Sequence, residues 1–402
     1  MGIEKVLLLF SLIILIGAFA EWLFKKTGIS DSIILIFIGF LLGNNGFKIV
    51  NLKSIEQIIP VFTIFTLYFI IFDGSLNIKI KLIYKNLATA LKLSLFNYLL
   101  SSILITFILL FLKNDLTTSA MIGFTLGGIS GTYVIPLIKQ IDISKNLYTI
   151  LTFESSITDV FSIVFAIAIM EIKILKSFNI QNTLGSLASL FSVAGAIGII
   201  MGTLWIYLEG RVIERDKNYL IMISYITITY LISEYLHGNG AIAVLFLGIT
   251  IANSDILLNI ASKFFNLKEG NKEKIVSKRE KEFYAEISFF LKTFFFVYIG
   301  LLIKTNNLSA LILGIFISIS LMFMRNATDF LIRDINDENK NILNMIFARG
   351  IAPAAIMKLF QEKGILISSL LVNTVYIVIV FTMLLTSIRV FFIKKKIKKK
   401  NQ

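Results

Sequence analysis

Long apolar runs separated by short polar breaks dominate the chain. The core of a bilayer asks for ~20 consecutive apolar residues per helix. On that pattern thirteen spans are expected, at 6–24, 31–47, 58–76, 86–112, 117–138, 148–172, 184–208, 217–236, 239–253, 284–303, 308–332, 341–360 and 366–393. Runs such as Val6–Phe24 are apolar nearly throughout, whereas the strands of a membrane barrel alternate apolar and polar residues. The expected fold class is therefore an all-α polytopic membrane protein. Residues 1–393 read as a single membrane domain and 394–402 as a basic tail. The start, Met1-Gly2-Ile3-Glu4, has neither the basic stretch nor the cleavage site of a signal peptide, so the first run is expected to be retained.

Composition sharpens this. Of 402 residues, 56% are hydrophobic and 16% charged, against about 25% charged in soluble domains. There is no cysteine, and His237 is the only histidine. Disulfide frameworks, thiolate metal sites, a cysteine nucleophile and His-rich zinc sites are excluded, an enzyme is not expected, and neither is a cofactor. The net charge of +14 is read as cytoplasmic loops in contact with the lipid bilayer rather than as a nucleic-acid surface. Basic residues divide unevenly between alternate loops. One side carries eight: Lys5, Lys48, Lys53, Lys113, Lys173, Lys176, Lys304 and Lys363. The other carries 25, including Lys25, Lys26, Arg211, Arg215, Arg333 and six lysines of Lys394–Lys400. Basic loops stay in the cytoplasm, which puts the C-terminus inside and the N-terminus outside a cell membrane, as an odd number of spans requires. The loop Ser254–Phe283 mixes both charge signs and reads as a cytoplasmic linker.

Ionisable residues inside a span cost at least ~2.5–3.5 kcal/mol each at the helix centre and ask for a reason. Glu21, Lys92, Glu171, Glu234, Lys292 and Lys358 lie near span ends, where they can reach the interface. The sixth span is different. Its segment Thr152-Phe153-Glu154-Ser155-Ser156-Ile157-Thr158-Asp159 places Glu154 and Thr158 on one helix face and Ser155 and Asp159 on the next. A hydrogen-bonded helix contact accounts for the hydroxyls but poorly for two acids. Hard oxygen donors of this kind suit Na⁺-type cations. Arg325, deep in the eleventh span, has two candidate partners: Asp329 on its own helix or Glu154 across helices.

Of the chain's three prolines, two lie beside glycines in the fifth and twelfth spans, in Gly127-Gly128-Ile129-Ser130-Gly131-Thr132-Tyr133-Val134-Ile135-Pro136 and Ala348-Arg349-Gly350-Ile351-Ala352-Pro353. Interrupted helices at corresponding places in two halves point to a transporter's midplane binding site. The odd separation of the two spans makes the halves inverted repeats. Discontinuity is expected around Gly131, Pro136, Gly350 and Pro353.

These residues resemble the monovalent cation:proton antiporter superfamily of the Na⁺/H⁺ exchanger type. Phe72-Asp73-Gly74-Ser75-Leu76 resembles its F-E-G-G-L, Glu154 to Asp159 its E-S-x-x-N-D, Phe294–Leu302 its F-x-F-I-G-L, and Ala348-Arg349-Gly350 its R-G signature. The resemblance implies a core of 86–172 and 308–393, a dimerisation part of 1–85 and 184–303, two crossed discontinuous helices and a homodimer. It implies that Asp159 binds cation and proton in turn, with Thr158, Ser155, Glu154, Ser130 and Thr132 around it, and that Glu154 pairs with Arg325. Two departures stand out: Ile129-Ser130-Gly131 replaces the family's T-D-P, removing an acid, and Thr158 stands for an asparagine. The expected function is electroneutral exchange of one Na⁺ for one H⁺, with Li⁺ as another cation. A K⁺/H⁺ antiporter or K⁺ efflux system is the alternative, and an uncoupled cation channel comes after it.

Overall fold

A computed structural model of the chain describes residues 3–27, 31–43, 46–50, 59–76, 87–138, 143–175, 180–209, 218–255, 277–303, 307–327 and 337–400. Among them every regular element is an α-helix. In chain order these are α1 (Ile3–Thr27), α2 (Asp31–Leu42), α3 (Ile59–Ser75), α4 (Leu87–Phe111), α5 (Leu116–Thr125), α6 (Gly131–Ile138), α7 (Lys145–Leu175) and α8 (Ile180–Glu209). Then follow α9 (Asn218–Tyr235), α10 (Gly240–Ala252), α11 (Lys278–Leu302), α12 (Leu308–Asn326), α13 (Asp337–Met345), α14 (Ile351–Glu362) and α15 (Ser369–Lys400).

Among the described residues, five helical stretches are long and apolar enough to cross a bilayer: Leu91–Phe111, Phe191–Glu209, Arg279–Leu302, Leu308–Asn326 and Ser369–Phe392. Phe10–Phe24, Asp31–Leu42, Val61–Ser75 and Gly240–Ala252 are apolar but shorter. The expected spans 117–138 and 341–360 each hold two short helices, α5 with α6 and α13 with α14. The ten residues of α5 reach only ~15 Å at 1.5 Å per residue, half of a ~30 Å hydrocarbon core, so neither half spans alone.

Helix ends are written locally. Asn239 and Asn307 accept from the Ile242 and Ala310 N–H groups at 3.0 and 3.1 Å, capping α10 and α12. Asp115 does the same for α5, accepting from Thr118 N–H at 3.0 Å. At the end of α14 the chain turns through Gly364, at φ +76°, where Ile365 N–H reaches the Phe360 carbonyl and Gly364 N–H the Gln361 carbonyl, the glycine-terminated helix stop. The end of α9 uses the same bond pattern, Gly238 to Ser233 and His237 to Glu234, but His237 occupies the left-handed position at φ +57°. Glu234 Oε1 accepts from Gly240 N–H at 2.9 Å, so this span-end acid ties the turn into α10.

The chain forms two compact units. The first comprises Met1–Thr63, Asn86–Lys176 and Phe290–Gln402. Within it α7 packs against α4, α5, α6, α13 and α14, and α12 lies along α15. The Gly300 of Phe294–Leu302 lets α11 meet α2 backbone to backbone: a Cβ there would run into the Ile36 carbonyl, as one on Gly39 would run into that of Val297. The second unit comprises Ile64–Lys85 and Ser177–Phe289. There α8 packs on α10 through Gly198 and Gly202, which face the Ala243 carbonyl and Thr250. The end of α3, Phe72 to Leu76, closes with Ser75 Oγ donating to the Phe72 carbonyl at 2.6 Å. These units and the expected core and dimerisation parts divide the chain differently at 1–63 and 290–303.

Candidate functional site

The site is built on the two interruptions. The first, Leu126 to Ser130, and the second, Ile346 to Gly350, carry no helix. Both fall before the prolines rather than at them. Pro353 is the third residue of α14, in the first turn, where a missing N–H costs nothing. Pro136 is the sixth residue of α6 and leaves the Thr132 carbonyl without its usual helical donor. What ends α5 is the glycine pair: a Cβ on Gly128 would collide with Ser162 Oγ and the Thr158 carbonyl. Only a bare backbone can lie this close to α7.

Unwound backbone inside a membrane protein must find partners for every N–H and C=O. Here α7 supplies most of them. Gly128 N–H donates to Ser162 Oγ at 3.1 Å, Ile129 N–H to Thr158 Oγ1 at 3.0 Å and Gly131 N–H to Asp159 Oδ2 at 2.9 Å. The fourth, Ser130 N–H, donates to the Ala348 carbonyl of the second interruption at 2.9 Å. Thr158 Oγ1 in turn donates to the Glu154 carbonyl at 2.8 Å. On the acceptor side, the Tyr98 hydroxyl donates to the Phe124 carbonyl at 2.9 Å, and Arg349 Nη1 to the Gly128 carbonyl at 2.7 Å.

The second interruption repeats the device. Arg349 N–H donates to Thr382 Oγ1 at 3.0 Å, and Thr382 donates to the Val378 carbonyl one turn back at 2.8 Å. Ile129 and Arg349 each stand two residues before the helix that follows, and each is held by a threonine of the next long helix. By that correspondence Asp159, next to Thr158, matches Met383, next to Thr382. One half carries an acid where the other is apolar, and the other a base where the first is apolar.

Glu154 and Arg325 are both 1% exposed and joined twice, Nη1 to Oε1 at 2.5 Å and Nη2 to Oε2 at 2.7 Å. Asn97 Nδ2 adds a bond to Oε1 at 3.1 Å, and Arg325 Nε donates to the Leu343 carbonyl at 3.2 Å. The other partner considered for Arg325, Asp329, lies outside the described residues. Asp159 is only half-buried, and the one hydrogen bond it accepts from Gly131 leaves oxygen lone pairs free. Ser155 is buried, its hydroxyl 3.2 Å from the Thr152 carbonyl, and Ser130 is buried against Gly350. Thr132 lies in α6.

Two residues of the cluster escaped the sequence reading of the site. Arg349 appeared there only as part of a signature, although a charge inside an apolar run beside a glycine and a proline was signal enough. Asn97 is a neutral polar residue in a long span, and nothing in its neighbours sets it apart.

An all-helical membrane chain in which two interrupted helices meet, with their backbone satisfied by a polar cluster at the contact, has the architecture of a secondary transporter. The profile of the family described as sodium/hydrogen exchanger, transmembrane, matches residues 11–396, and the chain belongs to that family. It is 25% identical over 283 residues to the Na⁺/H⁺ antiporter ApNhaP of Aphanothece halophytica, covering 69% of this chain and 50% of that protein. It is 23% identical over 290 residues to sodium/hydrogen exchanger 4 of Arabidopsis thaliana, covering 68% and 52%. The chain thus spans about half the length of the curated relatives it matches. The sodium proton antiporter MjNhaP1 of Methanocaldococcus jannaschii, solved at pH 8, has a similar fold, with a TM-score of 0.76, 18% identity and coverage of 96% of each chain.

Proposed function

We propose that this protein exchanges a monovalent cation, Na⁺ first, for H⁺ across a cell membrane by alternating access. One observation carries the reading: of the two acids on this stretch of α7, Glu154 is consumed by a bidentate arginine, while Asp159 keeps free oxygens in a half-buried position. A cation and a proton compete for those oxygens, so one leaves as the other arrives, and exchange needs no separate coupling device. The Thr132 carbonyl, freed by Pro136, and the Ser155 hydroxyl are the neutral ligands we assign beside it, with Ser130 shaping the wall. Thr158 does not titrate and holds backbone. With a single exchanging carboxylate, one H⁺ moves per monovalent cation and the cycle is electroneutral. Family membership and the likeness to ApNhaP and MjNhaP1 support this reading.

We assign the membrane thirteen crossings, with α5–α6 and α13–α14 each counted as one and crossing at their breaks. The N-terminus is outside and the C-terminus cytoplasmic. The moving core is 86–172 and 308–393, and 1–85 with 184–303 forms the dimer contact. The test is a pH-sensitive dye in proteoliposomes. Adding Na⁺ outside acid-loaded vesicles should alkalinise the lumen without generating a membrane potential. Cation flux with no proton movement would refute exchange, and a potential set up by exchange would refute the one-to-one ratio.

A further inference from the structure

We propose that Arg349 sets the valence selectivity of the cation site: a fixed positive charge that keeps divalent cations off Asp159 and holds down the affinity for monovalent ones. The inference rests on the reading of Asp159 as the cation ligand.

Arg349 is 1% exposed, its Nη1 is spent on the Gly128 carbonyl at 2.7 Å, and its Nε has no hydrogen-bond partner among the described residues. The acid that would neutralise it is engaged elsewhere, since both oxygens of Glu154 are held by Arg325. Arg349 and Asp159 share no hydrogen bond, which leaves charge as the means by which one bears on the other. It is held close, because the carbonyl it grips is three residues from Gly131, whose N–H donates to Asp159. Building the interruption does not require this charge. Ile129 holds the equivalent place in the first interruption, with the same threonine bond at 3.0 Å and no charge. A buried cation costs several kcal/mol, and the one bond its side chain gives the unwound backbone, to the Gly128 carbonyl at 2.7 Å, calls for a donor but not for a charge.

The physics favours a role in ion choice. The cost of stripping water from a cation grows with the square of its charge, while its attraction to one carboxylate grows only linearly. Divalent cations therefore gather several oxygens, commonly from more than one carboxylate. At this site one carboxylate is free, and every positive charge on the incoming ion also meets the repulsion of Arg349. A monovalent ion meets that repulsion once and a divalent ion twice.

The experiment measures cation-driven proton movement in proteoliposomes at fixed alkaline pH, with Mg²⁺ and Ca²⁺ added as competitors. The wild type should show saturable monovalent exchange that divalent cations at the monovalent KM leave untouched. In Arg349→Gln the KM should fall about three- to tenfold, and divalent cations should become competitive inhibitors. Arg349→Lys, which keeps the charge but loses the guanidinium fork, should return both values towards the wild type. A purely structural role predicts the reverse, with Lys no better than Gln and divalent inhibition unchanged. A folded Arg349→Gln with an unchanged or higher KM overturns the proposal. So does wild-type exchange inhibited by Ca²⁺ as strongly as by a competing monovalent cation, a result that needs no variant to fold. Failure of the underlying reading looks different: Asp159→Asn would retain exchange, or the wild type would exchange no monovalent cation for protons.

Discussion

Removing Glu154 should strand a buried positive charge, and the structure sets the scale of the damage. Arg325 is 1% exposed and places two of its donors on the Glu154 carboxylate, at 2.5 and 2.7 Å. With the acid gone, the Leu343 carbonyl, 3.2 Å from Nε, still accepts from it but brings no negative charge to offset the guanidinium. Breaking such a pair from one side costs about 3–5 kcal/mol, because the surviving charge keeps its desolvation penalty. Asn97 Nδ2 loses an acceptor as well, worth about 1 kcal/mol. Glu154→Leu and Arg325→Met should each destabilise by that order. The double variant Glu154→Leu/Arg325→Met should sit within about 2 kcal/mol of the wild type, since apolar groups of similar volume often replace a buried pair at little cost. Reversible unfolding of the purified protein in mixed detergent, followed by tryptophan fluorescence through Trp205, gives the three differences and their coupling. Single variants within about 1 kcal/mol of the wild type, with an additive double, would refute the claim that the pair is a closed, dry unit.

Four further outcomes are expected. Asp159→Asn should abolish exchange while purifying as folded protein, because the amide oxygen still accepts from Gly131 N–H; vesicle exchange and thermal stability measured together check this, and exchange that survives contradicts it. A reporter fused after Gln402 should be active only in the cytoplasm, and activity outside would invert the assigned orientation. His237→Gly should raise stability by up to about 1 kcal/mol, because a side chain in the left-handed region is disfavoured by roughly 1–2 kcal/mol while glycine costs some unfolded-state entropy; a fall in melting temperature would refute it. Against the upward push of partial burial, hydrogen bonds from Thr117, Thr118 and Lys173 hold the Asp115 carboxyl below the usual carboxylate range. Its contribution is therefore present above pH ~4 and lost as pH falls through its folded pKa, and Asp115→Ala should cost about 1 kcal/mol, mostly the helix cap, with a melting temperature that no longer depends on this group in acid.

The sequence by itself determined that the chain is helical and membrane-bound, because a bilayer imposes a length and an apolarity that can be counted residue by residue. It also marked the chemistry: two acids one turn and a residue apart in an apolar helix, and two glycine-rich stretches in equivalent runs, are costly enough to stand out without coordinates. Tertiary structure decided how those parts divide their work. Glu154 and Asp159 look alike in one dimension, yet one is sealed by an arginine 171 residues away and the other keeps free oxygens. The interruptions were legible as proline breaks, but they fall upstream of both prolines, where glycine lets α7 come close enough to take over the backbone hydrogen bonds. That partner lies in another helix, and no local pattern announces it. Arg349 shows the same limit. Its neighbours mark it as a signature residue, but whether a buried charge is neutralised depends on where every other charge has gone, and only the folded chain fixes those distances.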